Sequence, residues 1–534
     1  MNQTFDVVVV GGGSAGAAVS ARLSEDPGTS VCLIEAGGSG DSWLNRIPIA
    51  VAAVLPSRHG NWHYETEPQP GLSGRRGYQP RGKGLGGSSA INVMVYVRGH
   101  PSDYDHWAEQ GNPGWAYTDV LPYFLRSEDN EEFAEPWHGR GGPLTVSKGR
   151  HEHRLNGLWL QACAANGVPT NDDCNGAEQS GACLWQVTQR NGERCSSARA
   201  YLGPARARGN LQVLTRSQAT RIVWDGKRAA GVEFLRGGEL RRVAARREVV
   251  VAAGVFGSPQ LLQLSGVGPG DWLRDAGVEV LHDLAGVGRN LQDHIDYVES
   301  WRSPGFHEGP GFSVRGAWRM LRGGWQWWTA RRGLWTTTFT EAGAFARVGA
   351  GDGAPDVQLH FVLGIVDDHN RRLHWGHGIS SHVCVLRPKA RGTVRLRDAN
   401  ALSQPRIDPN FLDNEQDLDL LLRGARLQHR ILTSPAFDSV RGRMLYPLDL
   451  QDEHALRTEI RGRADTCYHP VGTCRMGPAS DPAAVVDAEL RVHGLQGLRV
   501  ADASVMPTLI GGNTNAAAIM IGERAADLLQ HRRC

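Results

Sequence analysis

No stretch of the chain reaches the roughly eighteen consecutive apolar residues that a membrane-spanning helix needs, so none is expected. The N-terminus lacks a basic segment followed by an apolar one. Instead MNQTFDVVVV runs directly into a β-branched strand, and a cleaved secretory signal is not expected. An excess of one charge is also missing. With 58 basic residues against 56 acidic ones the net charge is +2, which excludes the basic face of a nucleic-acid binder. Nine cysteines, at positions 32, 163, 174, 183, 195, 384, 467, 474 and 534, are odd in number and none forms Cys-x-x-Cys. A zinc ribbon and a thioredoxin-like dithiol are therefore excluded, and the pattern fits reduced thiols in a cytoplasm.

What is present is the composition of an ordinary globular protein, long enough at 534 residues for roughly two to four domain-sized units. Its 67 glycines imply many tight turns. The first forty residues are the most informative. Phe5–Val10 reads as a buried parallel strand and is followed by GGGSAG, in which Gly11, Gly13 and Gly16 satisfy G-x-G-x-x-G. AAVSARLSED then reads as a helix and SVCLIEAGG as a second strand ending at Glu35. Gly11 permits the tight turn, Gly13 lets backbone approach a pyrophosphate, and Gly16 lets helix and strand pack closely. The helix N-terminus supplies N–H groups for the phosphates, and Glu35 can accept hydrogen bonds from a ribose. This unit binds a dinucleotide, and by itself it does not separate FAD from NAD.

Four more segments stand out. Residues 81–99, RGKGLGGSSAINVMVYVRG, place small residues where backbone lies against a flat ligand. GVFGSPQLLQLSGVG follows the strand EVVVAAG, and a C-terminal block begins LRVADASVMPTLIGGNTNAA, with a strand ending at Asp502 and a small-residue helix beginning at Asn513. TCYHPVGTCRMG sets His469 between Cys467 and Cys474. Metal ligand, redox neighbour, packed core residue and catalytic base are all open for His469 within those twelve residues; the spacing and the lack of an evident fourth ligand disfavour zinc.

Taken together, these segments, with NWHYETEPQ at 61–69 and GVGRNLQDH at 286–294, resemble the glucose–methanol–choline (GMC) oxidoreductases, FAD-dependent enzymes that oxidise alcohols. The resemblance runs from about residue 5 to 527. It implies an α/β fold in which a discontinuous FAD-binding domain, built on a Rossmann-type βαβ unit, carries an α+β sheet-and-helix substrate cap. The expected division is 1–299 for the N-terminal FAD-binding region, 300–385 for the cap, and 386–527 for a C-terminal region completing both.

By the same resemblance, Glu35 would bind the adenosine ribose and Gly11, Gly13, Ser14, Ala15 and Gly16 the pyrophosphate. Gly87, Asn92 and Val95 would line the isoalloxazine, Ala219 would meet adenine, Asp502 and Ala503 the diphosphate and ribitol, and Asn515 the pyrimidine edge. Some members attach FAD through a histidine one residue before the asparagine matching Asn92. Ile91 stands there in this chain, so non-covalent FAD is expected. No metal is expected.

Removing a hydride from an alcohol requires a base at its hydroxyl and a donor beside it. The resemblance puts His469 and Asn513 at those positions, and with asparagine at the second, His469 is the base. HWGHGISSHVCVLRPKARGTVRL (374–396) and the spelling YHPVGTCRMG look most like bacterial dehydrogenases for aliphatic primary alcohols and polyethylene glycols, with choline dehydrogenases close by. The expected reaction is a primary alcohol to an aldehyde, with electrons passed to a quinone-type acceptor. Choline oxidation, or an oxidase using O2, is the alternative. A quaternary ammonium would need an aromatic cage and a carboxylate, for which Trp62 and Glu341 are the candidates. Finally, 313–335 holds five of the sixteen tryptophans and five arginines. At helical spacing Val314, Trp318, Leu321, Trp325 and Trp328 share a side, either a cover packed on the cap or a peripheral contact with the inner face of the membrane.

Overall fold

The computed structural model of the chain describes residues 3–151, 153–350 and 353–530. Val7–Val10 are β-branched and buried on both faces of the Gln3–Val10 strand, as the centre of a parallel sheet requires. They pair in parallel with Val31–Ile34 on one side and with the end of the Glu239–Val251 strand on the other. The full seven-stranded sheet runs Leu211–Leu214, Val31–Ile34, Gln3–Val10, Glu239–Val251, Arg228–Arg236, Gln218–Asp225. Leu498–Val500 joins it in parallel beside Val249–Val251. Strands far apart in sequence thus share one sheet, which makes this half discontinuous.

The Ser14–Leu23 helix connects the first two strands and packs on the C-terminal helix Asn515–Gln530. A Cβ added at Gly522 would lie 2.5 Å from the carbonyl oxygen of Ala15, so the crossing needs glycine. Beside it the fully buried Glu523 accepts from Arg22 at 2.9 Å, Arg126 at 2.8 Å and the Tyr201 hydroxyl at 2.6 Å. These are charge-assisted hydrogen bonds, which compensate for burying the carboxylate.

A second seven-stranded sheet is antiparallel, in the order Asp465–Thr466, Ile295–Arg302, Gly376–Val385, Val357–Val362, Ala342–Ala346, Gly181–Leu184, with Gly311–Phe312 paired at the start of Gly376–Val385. Strand side chains alternate faces. Val357, Leu359 and Phe361 enter a core with the Arg154–Ala165 and Glu415–Leu432 helices, where Trp159 stacks on Phe361 with ring centroids 5.0 Å apart. Gln358, His360 and Val362 take the other face, towards the first sheet's half. The cap thus draws on 154–165 and 181–184 as well as on segments within the 300–385 and 386–527 regions expected to build it.

The C-terminal helix begins at Asn515, two residues later than expected, which leaves Asn513 in the preceding loop. The eight described cysteines are free and buried, and burial pushes the Cys32 thiol up to about 12; Cys534 lies outside the described residues. Among the described residues no helix is long and apolar enough to cross a membrane.

Candidate active site

A cavity of about 1010 Å³ lies between the two sheets and is lined from both halves. One end is the glycine turn. Gly11 has φ +102°, and a Cβ there would lie 2.3 Å from the carbonyl oxygen of Ala252, while a Cβ on Gly16 would lie 1.9 Å from that of Gly11. Packing demands both glycines. Gly13 differs: the nearest protein atom to its added Cβ is 3.9 Å away, so the neighbouring protein does not require glycine there. What it keeps open is space at the start of the Ser14–Leu23 helix, whose first-turn N–H groups have no intrahelical acceptor. That space fits a diphosphate.

The other expected cofactor residues gather around it. Glu35 accepts N–H bonds from Gly12 at 2.9 Å and Gly37 at 2.7 Å, and burial pushes its carboxyl up. Ser14 donates its hydroxyl to Asn515 at 2.6 Å, joining the starts of two helices. Asp502 accepts from Gly254 at 2.9 Å and Ser258 at 2.6 Å, and its side chain caps the turn at Ser504. Asn92 accepts from the Met94 N–H and from Arg194. Gly11, Gly13, Ser14, Ala15, Glu35, Gly87, Asn92, Val95, Ala219, Asp502, Ala503 and Asn515 all line the cavity, as does Ile91. Gly16 does not; it sits behind the turn and serves packing alone.

His469 and Asn513 meet at the other end. The tautomer of His469 follows from its partners. His294 Nε2 lies 3.0 Å from the Leu386 carbonyl oxygen and 3.1 Å from that of Ile510, so it must carry the proton. Burial holds His294 down to about 3, leaving the ring neutral and its Nδ1 a bare acceptor. That Nδ1 is 2.9 Å from His469 Nδ1, which therefore donates. Burial, then His294, His360 and Arg81, keep His469 well below its ordinary value, so its Nε2 is left unprotonated, an acceptor. The Asn513 amide donates to this nitrogen at 3.0 Å, and its oxygen accepts from Gln358 at 3.1 Å, which fixes the amide's orientation. Asp293 accepts the His469 backbone N–H at 2.9 Å and holds the loop. A neutral imidazole with its acceptor nitrogen facing the cavity is poised to take a proton.

His360 and His382 stand opposite each other across the Val357–Val362 and Gly376–Val385 strands, and both line the cavity. His360 Nδ1 is buried without a protein partner, and burial holds the ring down to about 3. His382 bonds Asp296 at 2.6 Å. Neither was singled out from sequence, although the strand segment Val357–Phe361 around His360 alternates apolar and polar positions. His294 lay in the quoted GVGRNLQDH but had no assigned role, since its partners are remote in the chain. Glu341 and Trp62, the candidates for a cation cage under the choline alternative, do not assemble one. Glu341 is absent from the cavity lining and accepts from His151 at 2.7 Å, Asn156 at 2.8 Å and Thr337 at 2.5 Å. Trp62 lines the cavity but already stacks on Tyr64 and has the Lys83 ammonium 4.2 Å from its ring. Among the described lining residues the carboxylates are Glu35 and Asp502, both of which belong to the dinucleotide side.

A dinucleotide turn at one end of a cavity and a neutral imidazole paired with an amide at the other define a nucleotide-cofactor oxidoreductase acting on alcohol-type donors. The chain belongs to the GMC oxidoreductase family, whose N-terminal model matches residues 5–296 and whose C-terminal model matches 388–522. It is 41% identical over 524 residues to the oxygen-dependent choline dehydrogenase of Brucella anthropi, covering 98% of this chain and 95% of that one. Its fold is similar to pyridoxine 4-oxidase from Mesorbium loti, with TM-score 0.89, 32% identity and coverage of 99% and 100%. It is also similar to a formate oxidase variant of Aspergillus oryzae solved for the effect of mutation on FAD modification, with TM-score 0.91, 25% identity and 99% of each chain covered. The cofactor is FAD, and the reaction class is oxidation of an alcohol-type donor.

Proposed function

We propose that the protein oxidises an uncharged primary alcohol to an aldehyde, with His469 as base and Asn513 as the hydrogen-bond partner of the substrate oxygen. The observation that carries this reading is the His294–His469–Asn513 chain, which leaves His469 Nε2 unprotonated at the cavity wall. The hydroxyl proton passes to that nitrogen as the hydride leaves the carbon, so a hydride and a proton (two electrons and two protons in all) depart and the carbonyl forms. When bound, the flavin supplies the hydride acceptor. The Asn513 N–H stabilises the developing alkoxide oxygen, and Gln358 keeps the amide turned the right way. Held near Gly11, Gly13–Ala15, Glu35, Gly87, Asn92, Val95, Ala219, Asp502, Ala503 and Asn515, FAD is non-covalent, because Ile91 offers no nitrogen to bond it. Electrons leave to a quinone-type acceptor.

The uncharged substrate is supported by the cavity, where Glu341 is committed to three protein donors and the described lining beside His469 includes Arg81, Tyr468, His360 and Asn513 but no carboxylate. The second reading is choline, and the Brucella relative favours it over the aliphatic alcohols that the motifs resemble. Anaerobic bleaching of the flavin against 1-octanol, benzyl alcohol and choline separates them. Faster reduction by the neutral alcohols is expected. Faster reduction by choline overturns that assignment while leaving the reaction class in place, and subsequent addition of quinone or O2 reads the acceptor.

A further inference from the structure

The Val314–Ala330 helix turns a large apolar stripe outward. At about 3.6 residues per turn, Val314, Trp318, Leu321, Trp325 and Trp328 fall on one side, and all five are between 68% and 82% exposed. This is not the face that holds the helix to the protein. Gly316, Gly323 and Trp327 do that on the opposite side. Trp327 donates its indole N–H to Gly192 at 2.8 Å and packs with Ile47, Ile49 and Leu334. A Cβ at Gly323 would already lie 3.0 Å from Leu334, so the helix is seated closely by its small-residue back. Scattered surface hydrophobics are ordinary, but three indoles, a leucine and a valine in one contiguous stripe mark an interaction surface.

The two flanks of the stripe differ. One carries Arg315 and Arg322, both exposed, with Arg319, and residues 314–330 contain no Asp or Glu. The other carries Ala317 and Met320, which line the cavity. Phe312, Leu373 and Trp375 line it too, are 52%, 67% and 72% exposed, and extend the apolar surface around the opening. Phe312 bridges Trp375 through the backbone, so these two segments form one rim.

We infer that this face docks on an anionic lipid bilayer, with the indoles at headgroup depth and the arginines on lipid phosphates, so that the cavity opens towards the membrane. Amphipathic aromatic rings beside unopposed cations suit that interface. A second copy of the chain suits it less, since an isologous contact would set one arginine flank near another. Delivery of a lipid-dissolved alcohol or quinone through the opening rests on the reading under Proposed function; docking itself does not.

Flotation of the holoenzyme with phosphatidylcholine vesicles, with and without phosphatidylglycerol, tests the inference. Wild-type protein floats with the anionic vesicles, and salt weakens binding. Arg315→Gln with Arg322→Gln binds about 25-fold less, from about 5-fold per arginine at the surface. Trp318→Ser with Trp325→Ser and Trp328→Ser abolishes flotation while turnover of a water-soluble alcohol with a soluble dye is kept, because none of the three touches the cavity. Wild-type protein that stays unbound on both vesicle types overturns the proposal, as does flotation unchanged in the triple tryptophan variant. A lipid-free dimer that this variant dissociates assigns the face to a second copy instead. Dye-linked turnover in solution reads the proposed chemistry separately from vesicle binding.

Discussion

Replacing His294 by alanine removes the acceptor that sets the tautomer of His469. The 2.9 Å bond from His469 Nδ1 loses its partner, and the Leu386 and Ile510 carbonyls lose their donor. Leaving a buried N–H unsatisfied costs about 1–3 kcal/mol, which falls on the competent tautomer and its imidazolium. At about 1.4 kcal/mol per tenfold, flavin reduction by alcohol slows about 5- to 150-fold. The alcohol concentration for half-maximal reduction changes little, since His294 does not line the cavity. His294→Asn, whose amide oxygen can accept the same N–H, recovers part of the rate. The assay is stopped-flow anaerobic reduction, normalised to bound flavin. A rate within twofold of wild type in His294→Ala refutes the tautomer argument, and so does equal impairment of both variants, which would mark a packing role.

Acid precipitation leaves the flavin in the supernatant; flavin retained on the protein pellet contradicts the non-covalent assignment at Ile91. Asp293 is pushed up to about 6 by burial, yet its ionised oxygens accept from His469, Thr466 and Gln79. Its folded value lies above the unfolded one, so its contribution to stability is present at acid pH and is lost as pH rises through about 6. Flavin reduction runs the other way, weakening below about pH 6 as the acceptor is protonated, and Asp293→Asn removes that limb and gains relative stability at pH 8 over pH 4. Glu523→Gln removes the buried carboxylate shared by Arg22 and Arg126, which keep only the more exposed Glu25 and Asp527, and destabilises by about 3–5 kcal/mol, read by denaturant unfolding. Gly16→Ala, with its Cβ 1.9 Å from the Gly11 carbonyl oxygen, costs at least about 2–3 kcal/mol and lowers flavin content.

The cofactor half was legible because its constraints are local. Gly11 is required by its own positive φ and Gly16 by the Gly11 carbonyl oxygen in the same turn, and a short motif records that, although Gly11 is also crowded by the distant Ala252. Gly16 shows the limit of the motif, since spacing grouped it with the pyrophosphate contacts while the backbone gives it only packing. The substrate half is assembled by register. His360 reaches His382 because two strands pair antiparallel, and His294 acts through carbonyls 92 and 216 residues away, which no local pattern marks. Glu341 read equally well as a cage carboxylate or a structural one; only its bonds to His151, Asn156 and Thr337 separate the two. In the tryptophan helix the stripe was visible from spacing, but its direction was not, because an amphipathic pattern is the same whether the apolar side meets a core or a lipid surface.

The central claim, that His469 Nε2 accepts the alcohol proton, is tested most directly by anaerobic reduction of His469→Ala holoenzyme under excess alcohol. The account predicts an unchanged flavin spectrum and a reduction rate lower by about 10²- to 10⁴-fold, the usual contribution of a general base. Reduction within tenfold of wild type, with flavin still bound, would contradict it.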